Sequence, residues 1–297
     1  MSSTINSAVT EFIRGNNLGD GWFSMAIDGV AVIKTSNEVV PHQKIAKAGL
    51  CVVAQGSKQT VVGEQVSTVS TGQALIVGAQ IPAVGRTVQA SRQIPFVGLE
   101  LNLDIGLLRE IIDSIGFDIG SVEATRPGRV GYDVSEPLAE CITRLIRLNN
   151  DPKAISILFP SIMRELYYRL LSGPGGAELA RIAHPTEQSQ HVADAIHILR
   201  GNFSRKIRIK ELAAAARMSP SSFYQHFKNL TSMTPLQYQK QMRLLEARRL
   251  VVANAATVTQ AALGVGYESL PQFSREYLRM FGVSPKRDAM EHRVVAE

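Results

Sequence analysis

The sequence is poor in the residues that staple, anchor or ligate. Its 297 residues include two cysteines, one tryptophan and six histidines. Cys51 and Cys141 stand far apart with no second Cys or metal-spaced His beside either. That spacing argues against a disulfide scaffold and a zinc site, and leaves both as expected buried thiols. No run of about 18 apolar residues exists, so no membrane-spanning helix and no membrane partner are expected. The opening MSSTINSAVTEF lacks the basic start and apolar stretch of a secretory signal, which points to a cytoplasmic protein. No Gly-rich phosphate loop, nucleophile elbow or Cys/His pair stands out, and no cofactor is implied.

What is present divides unevenly along the chain. At 45% apolar composition the length suffices for two cores, so a body plus a smaller module is expected. Residues 1–185 hold 16 Lys and Arg against 17 Asp and Glu, whereas residues 186–297 hold 16 against 9. A basic segment beside a nearly neutral one fits a polyanion-binding module attached to a body that binds something else.

The pattern of the first half is that of short strands. Trp22 to Ile33, Gly49 to Gln55, Thr60 to Val69, Gln73 to Val77 and Val97 to Leu103 are rich in Val, Ile and Thr, with turn residues between them. A small barrel or jelly roll is the expected outcome. The period then changes. Ile105, Leu108, Ile111, Ile112 and Ile115 form one helical stripe; Ser135 and Pro137 start a second helix with Leu138, Cys141, Ile142, Leu145 and Ile146 inward; a third spans Ala154 to Leu171. Ser172-Gly173-Pro174-Gly175-Gly176 breaks that pattern and a polar stretch follows. The expected fold is α+β: residues 1–172 as a cupin-like β-barrel with a helical segment, 173–187 as a linker, and 188–297 as an all-α domain.

The all-α part carries a repeated unit. Leu212, Ala213 and Ala216 form the inner face of one short helix, Met218-Ser219 a turn, and Ser219 with Pro220 the start of a second helix. Phe223, Phe227 and Leu230 anchor that helix inward, which leaves Ser221, Ser222, Tyr224, Gln225 and Lys228 facing out. About fifty positions later the pattern returns with Val258, Ala261, Ala262 and Val265, then Gly266-Tyr267-Glu268-Ser269, and a helix anchored by Phe273, Tyr277 and Phe281. Its outward residues are Leu270, Gln272, Ser274, Arg275 and Arg279. Thr234-Pro235 opens a long helix between the units, with Leu236, Met242, Leu245 and Ala247 among its apolar residues and Lys240, Arg243, Arg248 and Arg249 giving it charge. Two helix-turn-helix units on one rigid connector suit two successive major grooves, roughly 34 Å apart. Arg275 suits a bidentate contact with guanine; Lys228, Arg279 and Arg243 are expected as phosphate partners or surface charges. The inward aromatics are core by the same periodicity.

The run Leu212-Ala213, Met218-Ser219, Phe223, Phe227-Lys228, Thr234-Pro235, Tyr238, Arg243, Ala247, Ala262, Gly266 to Ser269, Phe273 to Arg275, Phe281-Gly282 and Ser284-Pro285 resembles the AraC/XylS-type DNA-binding domain. It implies sequence-specific transcription control. The first half resembles an AraC-type N-terminal sensor domain, on Cys51 to Lys58, Ile81 to Val84, Gln89 to Ser91 and Glu100 to Asp104. That implies a small-molecule effector and homodimerisation, with promoter DNA as partner and RNA polymerase as a further one.

Three readings stay open. The first is a regulator modulated by an effector in the first half, with His42, Cys51, Arg86 and Arg92 as candidate contacts. Arg86 and Arg92 suit an anionic ligand, and Cys51 suits either a redox sensor or a small buried hydrophobe. The second is a ligand-independent regulator whose barrel only dimerises or binds a partner protein. The third is an enzyme tethered to DNA, which the scarcity of histidine disfavours, since only His42 falls among the expected strands and a catalytic metal wants several converging ligands.

Overall fold

The computed structural model describes residues 2–36, 42–45, 48–62, 65–77, 82–118 and 131–293. The chain divides into two compact units, residues 1–61 with 65–186 and residues 187–297, each considered by itself.

The first unit opens with helix α1 (Ser2–Gly15), followed by strands β1 (Gly21–Ser24), β2 (Val30–Thr35), β3 (His42–Ile45), β4 (Gly49–Gln55), β5 (Ser57–Val62), β6 (Gln65–Ser70), β7 (Gln73–Val77), β8 (Pro82–Gln89) and β9 (Phe96–Asn102). Helix α2 (Ile105–Ile115), strand β10 (Gly131–Asp133) and helices α3 (Glu136–Leu148), α4 (Pro152–Leu171) and α5 (Gly176–Ala183) complete it. The strands form two sheets, one ordered β1-β2-β9-β4-β7-β10 and the other β3-β8-β5-β6. The expected barrel is therefore not closed. Among the described residues each sheet keeps two edges, and helices cover one face of the larger one. Val32, Leu50, Val52, Ile76, Leu99 and Leu101 point into a core shared with Ile5, Val9 and Phe12 of α1 and with Cys141, Ile142 and Leu145 of α3. The alternate residues Ile33, Cys51, Val53, Leu75 and Phe96 gather on the opposite face. Burial on both faces explains the unbroken apolar run of β4, GLCVVAQ.

Several parts of this unit depart from the sequence reading; Trp22 to Ile33, read as one strand, holds β1 and the start of β2. Helix α1 was not expected, yet Ile5, Ala8, Val9, Phe12 and Ile13 fall on one stripe and are buried. The stretch read as one strand over Thr60 to Val69 holds the two strands β5 and β6. The expected linker, 173–187, contains α5, whose Leu179, Ala180 and Ala183 are fully buried in the same core. Its glycines mark a tight corner: a Cβ on Gly176 would lie 2.0 Å from the Leu171 carbonyl oxygen, so only glycine fits there. Arg109 of α2 then donates to the Ala183 carbonyl at 2.6 Å and satisfies the helix end.

The second unit is helical: α6 (Glu187–Gly201), α7 (Ile209–Ala215), α8 (Pro220–Thr231), α9 (Pro235–Val252), α10 (Val258–Gly264), α11 (Leu270–Phe281) and α12 (Pro285–Arg293). Rings form its interior. Phe227 meets Tyr238 of α9 edge to face at 5.5 Å, and Tyr277 meets Phe281 at 4.4 Å. On helix α9, Leu236 is largely exposed, and Arg248, read as one of its charges, is buried against Asp288.

Candidate nucleic-acid interface

The two helix-turn-helix units are built by the same local devices. Helix α7 ends at a left-handed residue, Arg217 at φ 55°, and α10 ends at Gly266 at φ 89°. Helix α8 starts where the Ser222 N–H donates to Ser219 Oγ at 3.2 Å, and α11 where the Gln272 N–H points to Ser269 Oγ at 3.4 Å. The second turn is one residue longer. After it the correspondence is complete, because residues 221–231 and 271–281 share the same order of exposed, half-buried and buried positions.

That pattern places the ten expected contact residues. On α8, Ser221, Tyr224, Gln225 and Lys228 are exposed and Ser222 half-buried; on α11, Leu270, Ser274, Arg275 and Arg279 are exposed and Gln272 half-buried. Some exposed positions, Pro271 among them, escaped the sequence reading. Asn229 follows Gln225 by four and matches Arg279 in the repeat, and Leu278 matches Lys228. Helical spacing from the outward residues already named was the available signal.

Behind α11 lies a polar clamp that links three elements. Lys240 of α9 donates to Glu276 Oε1 at 2.7 Å, the Tyr267 hydroxyl donates to Oε2 at 2.7 Å, and Gln272 Nε2 donates to Oε1 at 3.1 Å. Burial by itself would raise the Glu276 pKa. The hydrogen bonds from Lys240, Tyr267 and Gln272 outweigh it and hold the carboxyl below its ordinary value. Burial, with the Glu276 hydrogen bond, pushes the Tyr267 phenol up.

Arg243 is a brace, not a surface charge or a phosphate partner. Its Nε donates to the Phe203 carbonyl at 2.8 Å, Nη1 to Gly266 at 2.8 Å, and Nη2 to Ser204 and Arg205 at 3.1 Å each. Desolvation lowers its pKa, and the neighbouring Tyr267, Glu268 and Glu276 act in the opposite sense. Five donors in a fixed fork let one side chain tie the loop before α7 to the turn before α11.

The four expected effector contacts are less coherent. The side chains of His42 and Arg86 lie outside the described residues. Their backbones are neighbours in the smaller sheet, where His42 pairs with Gly85. Arg92 is exposed. Cys51 belongs to the larger sheet, buried, with Lys58 Nζ 4.0 Å from its Sγ. Lys58 also stands 3.6 Å from Glu100, to which the Trp22 indole donates at 3.1 Å. Burial raises the Cys51 pKa more than Lys58 lowers it, which favours the thiol form at this position. Among the described residues, no group of three or more His, Cys, Asp or Glu is placed to hold a metal ion, and no helix is long and apolar enough to cross a membrane.

Residues 26–178, more than half of the chain, match the family described as the AraC-type transcriptional regulator N-terminus, and residues 212–289 match a helix-turn-helix domain. The chain belongs to the AraC-type transcriptional regulators. This AraC-type chain is 28% identical over 151 residues to the HTH-type transcriptional regulator ArgR of Pseudomonas aeruginosa, covering 43% of this chain and 46% of ArgR. It is 34% identical over 86 residues to the probable transcriptional regulator LumQ of Photobacterium leiognathi, covering 29% and 35%. The matched regions thus span less than half the length of either relative. In structure it is similar to ToxT from Vibrio cholerae. One ToxT structure superposes with TM-score 0.52 at 9% identity over 88% of this chain and 97% of ToxT, and a fatty-acid-bound one with 0.52 at 10% over 91% and 95%. That likeness shows the fold.

Proposed function

We propose that this chain binds a specific double-stranded DNA sequence through α8 and α11 and controls transcription in response to a small molecule held by the first unit. The observation that carries the reading is the repeat: two helices with matching exposure patterns, each opened by a Ser cap after a turn, on the basic part of the chain. The outward side chains include Gln, Ser, Tyr and Arg, lengths and chemistries that reach base edges, while Lys228 and Arg279 supply charge for phosphate.

Solved ToxT structures carry an unsaturated fatty acid and a methylnaphthalenyl butenoic acid. An apolar carboxylic acid is therefore the first effector class to test here. Such a ligand alters output only by binding two states of the protein with different affinity. Homodimerisation is part of the same reading, supported by the exposed Ile157, Leu158 and Tyr168 of α4, with RNA polymerase as a further partner. The test is protection of DNA upstream of the chain's own and neighbouring genes at several salt concentrations, with Arg275→Ala and Tyr224→Ala alongside. A discrete site whose selectivity falls by about 1–3 kcal/mol per lost base contact supports the reading. Equal binding to all sequences, unaltered by either substitution, refutes it.

A further inference from the structure

A glutamine amide presents nearly the same shape with its oxygen and nitrogen exchanged, so its orientation is decided by the partner it meets. The partner of Gln272 is Glu276, one turn along α11. Both Glu276 oxygens already receive donors, Lys240 Nζ at 2.7 Å on Oε1 and the Tyr267 hydroxyl at 2.7 Å on Oε2. An ionised carboxylate only accepts. Turned the other way, Gln272 would set its carbonyl oxygen against a carboxylate oxygen at about hydrogen-bond distance, an acceptor facing an acceptor. Only the amide NH₂ can face Glu276, as observed at 3.1 Å.

The clamp thus fixes what Gln272 has left to offer. Its Oε1 makes no hydrogen bond among the described residues, and one N–H remains beside it. An acceptor next to a donor complements the major-groove edge of adenine, whose N6 amino group donates and whose N7 accepts. Guanine presents two acceptors there, thymine an acceptor and a methyl group, and cytosine a donor alone. Gln272 also stands in the first turn of α11, the part of a recognition helix that meets base edges. Helix α8 has Ser222 and His226 at the matching places, so the device belongs to the second helix-turn-helix alone.

We propose that Gln272 reads an adenine in the major groove and that Glu276, braced by Lys240 and Tyr267, is the positioning residue that orients its amide. This rests on α11 being a DNA-reading helix. The experiment is selection of binding sites from randomised duplex DNA by the full chain, with base preference resolved position by position for wild type, Gln272→Ala and Glu276→Gln. Thermal unfolding of each variant is followed alongside. Wild type should prefer adenine at one position by about fivefold or more over any other base. Gln272→Ala should lose that preference and no other. Glu276→Gln presents either an oxygen or a nitrogen to residue 272, and should relax the same position toward guanine and thymine.

A merely structural Glu276 would weaken all sequences alike and leave the preference intact, which overturns the positioning role. Gln272 is half-buried and outside the core residues, so Gln272→Ala keeps the proposal falsifiable even if Glu276→Gln does not fold. Unchanged preferences in Gln272→Ala, or a base other than adenine at the position that depends on Gln272, overturn the adenine assignment. If wild type selects no sequence at all, the DNA-reading role of α11 falls first and the proposal with it.

Discussion

Arg248 of α9 and Asp288 of α12 form the most deeply buried ion pair among the described residues, with Nε 2.7 Å from Oδ2. The Tyr277 hydroxyl donates to the same oxygen at 2.6 Å, and the guanidinium lies 5.2 Å from the Phe281 ring. The back of α11 is thereby pinned to both the connecting helix and the last helix. Removing one partner of such a pair strands the other charge in the interior. Asp288→Ala should cost about 3–5 kcal/mol in urea unfolding. A loss below about 1 kcal/mol would show that water reaches Arg248 and that the pin is weak.

Gly266 and Gly282 provide a paired test of the two ends of α11's surroundings. Both adopt left-handed φ, 89° and 72°. A Cβ at Gly282 meets open space, whereas one at Gly266 would stand 2.0 Å from the Ser204 carbonyl oxygen, which Arg243 holds in place. Gly282→Ala should cost only the backbone strain, about 1 kcal/mol. Gly266→Ala should cost about 2–4 kcal/mol, because strain and overpacking combine. Equal losses for the two variants would mean that the 203–205 loop yields freely.

The contrast between what could and could not be read from sequence follows the range of the interactions. Helices α8 and α11 were legible because a 3.6-residue period and a Ser cap are local, and the outward residues are the complement of the inward ones. Helix α1 shows the same stripe, but Ser, Thr and Asn, which favour caps and turns over helix interiors, stand between its apolar residues. Strand β8 contains Pro82 and Gly85, both turn signals, and β3 offers only His-Gln-Lys-Ile, with no apolar alternation. The Glu276 clamp draws on Lys240, 36 positions earlier, and Arg243 reaches 40 positions back to Phe203. Such pairings exist only once the helices have packed.

The depressed pKa of Glu276 makes a stability prediction with a definite sign. A carboxylate whose folded pKa lies below its unfolded one stabilises the fold above the unfolded value, and that contribution is lost as pH falls through the folded value. The difference in unfolding free energy between wild type and Glu276→Gln should stay constant from pH 7 to about 5 and shrink as pH drops below the ordinary carboxyl value of 4.5. A difference that grows on acidification would mean that the fold raises the Glu276 pKa above its ordinary value, against the clamp holding an ionised carboxylate.

Both thiols should be silent in the native protein. Cys51 and Cys141 are buried, and burial is the largest influence raising each pKa. Ellman's reagent at pH 8 should label neither until denaturant is added, and then both. Rapid native labelling at Cys51 would restore the sensor reading for that residue.

Leu179 decides whether the glycine-rich break before it ends the first unit or lies inside it. In a mobile connector, truncating an apolar side chain has little consequence, because nothing packs on it. In the structure Leu179 is fully buried, one helical turn before Ala183, whose carbonyl accepts a hydrogen bond from Arg109 Nε of α2. Leu179→Ala should therefore leave a cavity in the first unit and cost about 2–4 kcal/mol. Substitution at Gln188, exposed just past the boundary of the first unit, should cost less than about 0.5 kcal/mol. Similar small effects at both positions would return residues 173–187 to the role of a flexible tether and shorten the first unit to residue 172.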